Sequence, residues 1–309
     1  MKRTKSGAIL ALCLLVVVAA LVAAGCGSSS SSSSPSASAS ASATTPMERF
    51  TQILGHAPTG MAATIAEKNQ FVVVDDANYP PQSYIDNTGN LIGFDVSVAQ
   101  QLSTILGVPA KIINANWDAV LSGIPVGRFD VSIGSMTITQ ERGKSMDFSE
   151  PYYYTQGQVI VKQGSPVLAD PAALKGKTIG VGTGTTYFDY LTKLGGIKVK
   201  PYPTDADTFP DLKNGRLDGA MTADLTAAQA ISSGYPFVFS GKPYYYEPLA
   251  FSIQKGQTDW LALLDYAVKQ MHADGFLTTE AKQWYHGFDP TQEPASGVLG
   301  YEDAMAALP

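Results

Sequence analysis

The chain has 309 residues, a formal net charge of −6, two cysteines and three histidines. That acidic balance speaks against nucleic-acid phosphates as partners. With so few cysteines, and with His56, His272 and His286 scattered without metal-binding spacing, zinc and Ser-His chemistry are both poorly supplied, and neither a metal nor another cofactor is expected.

The first 25 residues read as a signal peptide: "MKRTKSG" is basic, and "AILALCLLVVVAALVAA" is an apolar run too short for a comfortable membrane span. The run ends in "AAGC", which resembles a bacterial lipoprotein cleavage site with Cys26 as the lipidated residue, although Ala23 stands where that pattern prefers Leu. Loss of Lys2, Arg3 and Lys5 with the signal would make the mature chain three units more negative. Cys13 would leave as well, so the folded part would hold neither a disulfide nor a thiolate nucleophile. The stretch "GSSSSSSSPSASASASATTP" cannot bury apolar surface and suits a flexible tether. Residues 26–59 are therefore a tether plus a short helical preface, "MERFTQILGHAP".

The folded part starts with a short helix, "MAATIAEKNQ", and a β-branched strand, "FVVVDD". Prolines and Asn-rich turns make "NYPPQSYIDNTGN" a loop. "GFDVSVAQQLSTILG" is a helix, because Phe94, Val98, Leu102, Ile105 and Leu106 fall on one face and Gly107 follows as a stop. The strand "AKIINA", the short helix "WDAVLSGIPVG" and the strand "FDVSIGSM" complete a β-α-β-α-β unit, the pattern of a mostly parallel sheet.

A second such unit follows the tyrosines. It reads as strand "QVIVK", short helix "DPAALKG", strand, glycine loop and helix in "KTIGVGTGTTYFDYLTKLG", then strand "IKVKPYP". "DTFPDLKNG" is a helix if it starts near Asp207, which leaves Pro210 in the first turn. Strand "RLDGAMTAD", helix "LTAAQAISSG" and strand "FVFS" follow. An extended segment, "PYYYEPLAFSIQKG", returns the chain to two last helices, "DWLALLDYAVKQMHADG" and "LTTEAKQWYHG". The second unit is thus an inserted lobe entered and left by two extended segments.

Ligands of open α/β sheets bind beyond the carboxyl ends of the strands. The groups there are Asp75-Asp76 with Tyr79, Trp117, Gly134-Ser135-Met136-Thr137 with Arg142, Thr183 to Thr186, and Asp224. Singly, each has an ordinary explanation: Arg142 as a surface ion pair, Asp224 and Thr185-Thr186 as helix caps, Tyr79 and Trp117 as core plugs. Together they supply a donor fork for a carboxylate, a carboxylate for an ammonium, and aromatic faces for a side chain. Those are the requirements of a zwitterion taken out of water. The loop "GVGTGTT" lacks the lysine of a P-loop and is not a full GxGxxG.

The blocks "GNLIGFDVSVAQQL", "FDVSIGSMTITQERGKSMDFSEPYY", "LKGKTIGVGTGTTYFDYL" and "LKNGRLDGAMTAD" resemble the bacterial extracellular solute-binding proteins of family 3. The resemblance implies an α/β fold of two periplasmic-binding-protein lobes (type II), each a mostly parallel sheet flanked by helices, with two crossing strands as hinge. It implies that Arg142 holds a ligand α-carboxylate, with Ser135, Thr137, Thr185 and Thr186 as donors nearby. Gly134 would offer a carbonyl to the α-ammonium, Asp224 would pair it, Tyr79 and Trp117 would sandwich the side chain, and Asp76 would reach its polar end. The sequence departs from the pattern in three places. The step from Asp218 to Asp224 is one residue longer, Gln82-Ser83 replaces Phe-Glu, and Pro210 interrupts a helix.

The expected organisation is lobe 1 over 60–157 and 249–290, lobe 2 over 158–248, and a tail over 291–309. The expected function is a non-enzymatic, monomeric receptor of an ABC importer, lipid-anchored outside the bacterial cell membrane. It would bind a polar amino acid, cationic or amide-bearing, by hinge closure and present it to membrane permease subunits. The competing assignment is a cyclohexadienyl dehydratase-like enzyme on the same fold, with Asp76 or Glu247 moving a proton.

Overall fold

The computed structural model describes residues 44–294 and 297–308. The signal segment, Cys13, Cys26 and the serine-rich tether lie outside them. Helix α1 (Pro46–Leu54) begins in a capping box: Thr45 Oγ1 accepts from the Glu48 N–H at 3.2 Å while the Glu48 carboxylate accepts from the Thr45 N–H at 2.8 Å. Then come α2 (Gly60–Lys68), β1 (Phe71–Asp75), β2 (Asn78–Tyr79), β3 (Ser83–Ile85), β4 (Leu91–Ile92), α3 (Phe94–Leu106), β5 (Ala110–Asn114), α4 (Trp117–Gly123) and β6 (Val131–Thr137). A 3-10 turn at Arg142–Lys144 and β7 (Met146–Phe148) precede the long β8 (Tyr153–Lys162).

The second unit holds β9 (Thr178–Gly182), α5 (Thr186–Leu194), β10 (Lys198–Tyr202), α6 (Thr208–Lys213), β11 (Gly219–Ala223), α7 (Asp224–Ser232) and β12 (Phe237–Phe239). The chain returns through β13 (Tyr245–Gln254) to α8 (Thr258–Ala273), α9 (Phe276–Trp284) and α10 (Tyr301–Ala306).

The main sheet runs β10-β9-β11-β8-β13-β6-β1-β5. At one end β5, β1 and β6 are parallel; at the other β10, β9 and β11 are parallel. Strands β8 and β13 join the halves as an antiparallel pair, from Tyr245 opposite Gly157 to Leu249 opposite Tyr153. Each parallel half ends its strands toward the other, and the crossing pair lies between them.

Each half has its own apolar core. In the first, Trp260, Phe71, Phe94, Tyr152 and Phe251 are fully buried, and the Trp260 indole N–H donates to the Asp130 carbonyl at 2.9 Å. In the second, Val181, Leu191, Met221, Tyr187 and Tyr245 pack with Tyr301. Each such large side chain contributes roughly 1.5–3 kcal/mol on burial, which lets each half hold its strand ends rigid.

The structure departs from the sequence expectations in four places. The supposed loop after Tyr79 contributes β3 and β4 to a small three-stranded sheet, because Ser83–Ile85 can pair with Leu91–Ile92 across the Asp86–Asn90 turn. "DPAALKG" forms successive turns, not a helix: it is short, and Gly176 ends it at φ 77°. Met146–Phe148 is a strand alongside β13. The C-terminal tail contains α10, which Tyr301 anchors against Tyr245 with ring centroids 5.2 Å apart.

Candidate functional site

Between the two halves lies a cleft whose empty volume, open mouth included, is about 630 Å³. Its floor and walls come from strand ends: Asp75 and Asp76 at the end of β1, Gly134, Ser135 and Thr137 in β6, Thr183, Thr185 and Thr186 leading into α5, and Asp205 after β10. Tyr79, Trp117 and Arg142 complete it.

Arg142 opens the 3-10 turn, where its own N–H is held by Thr139 Oγ1 at 3.1 Å. Its guanidinium donates to the Thr137 carbonyl at 2.9 Å and, across the cleft, to the Gly184 carbonyl at 3.1 Å. It also lies 5.6 Å from the centre of the Trp117 ring, whose N–H donates to the same Gly184 carbonyl at 3.1 Å. Gly184 has φ +69°, a left-handed conformation in which a side chain would be strained, so the crossing favours glycine. Burial presses the Arg142 pKa down, and the Glu247 and Asp189 carboxylates oppose that shift.

Thr185 caps α5: it accepts from the Phe188 N–H at 3.1 Å and donates to the Gly182 carbonyl at 2.8 Å. Thr186 and Thr137 both donate to Glu247, the latter at 3.2 Å. Ser135 has φ +53°, a left-handed conformation unusual for a serine inside a strand. It turns the hydroxyl inward, donating to Asp95 at 2.6 Å, while its N–H donates to the Tyr152 hydroxyl at 3.1 Å.

The acids outnumber the cation. Among the lining residues Arg142 faces Asp75, Asp76 and Asp205. Asp75 is 2 % exposed, its Oδ2 has no hydrogen-bond partner, and burial together with the nearby Asp95 pushes its pKa well up. Asp76 accepts from the Asn78 side chain at 2.8 Å and is also raised by burial. Asp205 accepts from the Gly182 N–H at 2.9 Å and the Thr222 hydroxyl at 2.7 Å, and burial lifts it to about 6. Among the described residues no group of three His, Cys, Asp or Glu is placed to hold a metal.

The model of the bacterial extracellular solute-binding proteins, family 3, matches residues 71–287. The chain belongs to that family. This binding protein is 33% identical to the L-cystine-binding protein TcyJ of Escherichia coli (strain K12), over 76% of its own length and 90% of the relative's. It is 29% identical to the L-arginine-binding protein of Pseudomonas aeruginosa, over 69% and 86% of the two chains. Among solved structures, the P235GK mutant of ArgBP from T. maritima superposes with a TM-score of 0.70 at 29% identity, covering 74% of this chain and 100% of that one. The family's description and this fold make the protein an extracellular solute-binding protein of two α/β lobes hinged by β8 and β13.

The binding protein brings Asp76, Tyr79, Trp117, Gly134, Ser135, Thr137, Arg142, Thr185 and Thr186 to one cleft. It does not bring Asp224. That carboxylate accepts from the Gln156 and Leu225 N–H groups, at 3.1 and 2.9 Å, and faces a separate groove beside Pro81, Trp284 and Tyr285. Asp224 is the first residue of α7, directly after β11, and its carboxylate stays with the crossing strand β8 through Gln156. The hydroxyls of Ser135, Thr137, Thr185 and Thr186 are likewise already donated inside the protein. The sequence placed Asp75 among the strand-end groups without giving it a role, and Asp205 was not singled out. Asp75 stood beside Asp76 at a strand end, a usable signal, whereas Asp205 sat in a loop with none.

Proposed function

We propose that this chain is the lipid-anchored receptor of an ABC importer and binds an amino acid with a cationic side chain. Charge balance in the cleft carries the reading: one guanidinium faces three carboxylates, and buried charges need partners. An α-carboxylate satisfies the Arg142 fork, while an α-ammonium and a second cation satisfy Asp205 and the Asp75–Asp76 pair. The raised pKa values of these acids are those of carboxylates lacking a counter-ion, which such a ligand would supply. Tyr79 and Trp117 fit as flat walls for the aliphatic or guanidinium part. The arginine-binding relative and the arginine-binding structural neighbours lend support.

Lobe 1 is assigned to 60–157 and 249–290 and lobe 2 to 158–248. Closure of the two over the ligand makes the form that permease subunits read, and it requires no bond-making chemistry. The protein works as a monomer, held outside the membrane by lipid on Cys26. Titration calorimetry across L-arginine, L-lysine, L-ornithine, L-glutamine and L-cystine tests the ligand class. Binding of the cationic members at least tenfold tighter than glutamine is expected; equal affinity for neutral amino acids removes the charge argument. Loss of prephenate absorbance on incubation would instead restore the dehydratase assignment.

A further inference from the structure

Glu247 is a fully buried carboxylate near the start of the crossing strand β13, where it pairs with β8. Its Oε1 accepts from Thr137 in β6 at 3.2 Å and from Thr186, the first residue of α5. Its Oε2 accepts from Thr155, its register partner on β8, at 3.4 Å. One carboxylate at the pivot therefore gathers hydroxyls from lobe 1, lobe 2 and the other crossing strand.

A threonine hydroxyl carries a single proton. Those of Thr137 and Thr186 are given to Glu247, so these two side chains cannot donate the same proton to a ligand. They act as arms of a bridge, and a ligand carboxylate is left with the Arg142 fork and backbone N–H groups. No Lys or Arg lies within ion-pair distance of Glu247 among the described residues, so these hydroxyls are its direct partners. A buried acid in such a place is costly, and the hydroxyl ring is what offsets the cost.

We propose that Glu247 is a positioning residue that couples the two lobes, its Oε1 bridging Thr137 of lobe 1 and Thr186 of lobe 2 so that the cleft is completed in one relative orientation. The bridge holds Thr186, and with it the Thr183–Thr186 turn, over the Arg142 site. The role rests on the binding function proposed above but makes no contact with the ligand. Glutamine at this position keeps the shared oxygen for Thr137 and Thr186 and turns its amide toward the Thr155 hydroxyl, which can accept. Alanine removes the bridge.

Calorimetry with L-arginine on the wild type, Glu247→Gln, Glu247→Ala, Thr186→Val and the Glu247→Ala/Thr186→Val double variant tests this. Glu247→Gln should bind within about threefold of wild type, and Glu247→Ala should lose about tenfold or more. Thr186→Val should weaken binding alone and add nothing in the Glu247→Ala background. Wild-type affinity in Glu247→Ala, or a full Thr186→Val effect in the double variant, overturns the proposal. Hydrogen exchange without ligand separates this from failure of the binding reading. Amides of 183–188 should exchange faster in Glu247→Ala than in Glu247→Gln even if no amino acid binds, and equal rates overturn it. Should Glu247→Ala not fold, Thr137→Val and Thr186→Val must each raise that exchange, with no additive effect when combined; independent effects refute the bridge.

Discussion

At the scale of single residues, contact geometry separates groups whose types alone look equivalent. Arg142 and Asp224 are both charges beside a helical turn, yet only Arg142 reaches the cleft. Replacing Arg142 with Lys keeps the charge and loses the planar fork, so affinity should fall about tenfold or more in calorimetry while the melting temperature changes little. Asp224→Ala should do the reverse. It leaves the Gln156 and Leu225 N–H groups without their acceptor and should cost about 1 kcal/mol in a denaturant titration, with amino-acid affinity nearly unchanged. A large affinity loss in Asp224→Ala would show that the cleft rearranges to recruit it.

At the scale of elements, the C-terminal helix α10 matters more than its length suggests. It packs Tyr301 on Tyr245, receives Lys193 Nζ at the Met305 carbonyl at 2.6 Å, and offers Glu302 Oε1 to the Gln140 N–H at 2.6 Å. Removing the Tyr301 ring would open a cavity against a buried tyrosine that is itself part of β13. Tyr301→Ala should therefore destabilise the protein by about 2–4 kcal/mol, read from chemical denaturation. An unchanged unfolding midpoint would mean that α10 detaches freely in solution. The crossing strands impose a related constraint: β13 pairs with β8 over its first half and with β6 and β7 over its second, so strain at one lobe is felt in the same strand at the other.

For the whole molecule, several acids are folded into places where water cannot solvate their charge. Burial lifts Asp95 to about 7, against hydrogen bonds from Ser135 and Tyr152 that pull it down, and Asp205 rises to about 6. Asp75 shifts the same way. In the unfolded chain these carboxyls titrate near an ordinary pKa of about 4. Between that value and 6–7 the folded protein holds more protons than the unfolded one, so stability falls as pH rises through the window. Asp211 is held down by Lys200, Tyr202 and Arg216 and has the opposite sign, but it acts only in more acid solution. The melting temperature of ligand-free protein should be several degrees lower at pH 8 than at pH 5.5. A flat or rising profile there would mean that these acids are ionised and otherwise compensated. A saturating cationic ligand should reduce the drop, since it stabilises the ionised Asp75, Asp76 and Asp205.

Apolar periodicity and glycine stops sufficed to place α3 and β1, and alternating strands and helices sufficed for the two α/β units, because these signals are local. The specific run from Gly134 to Tyr154 was enough to nominate Arg142 and its family. Side-chain direction was not local information. Asp224 opens α7 with its carboxylate on the neighbouring groove and not on the cleft, and only the folded chain shows this. Asp205 and Glu247 carried no motif: their meaning comes from Gly182 and Thr222, or Thr137, Thr155 and Thr186, brought close from distant parts of the chain. By itself the sequence determined the class of fold and the family, and it singled out Arg142. The tertiary structure decided which polar groups face the ligand space and which bind one another, because a hydroxyl proton or a carboxylate lone pair is committed by whatever partner folding places within about 3 Å.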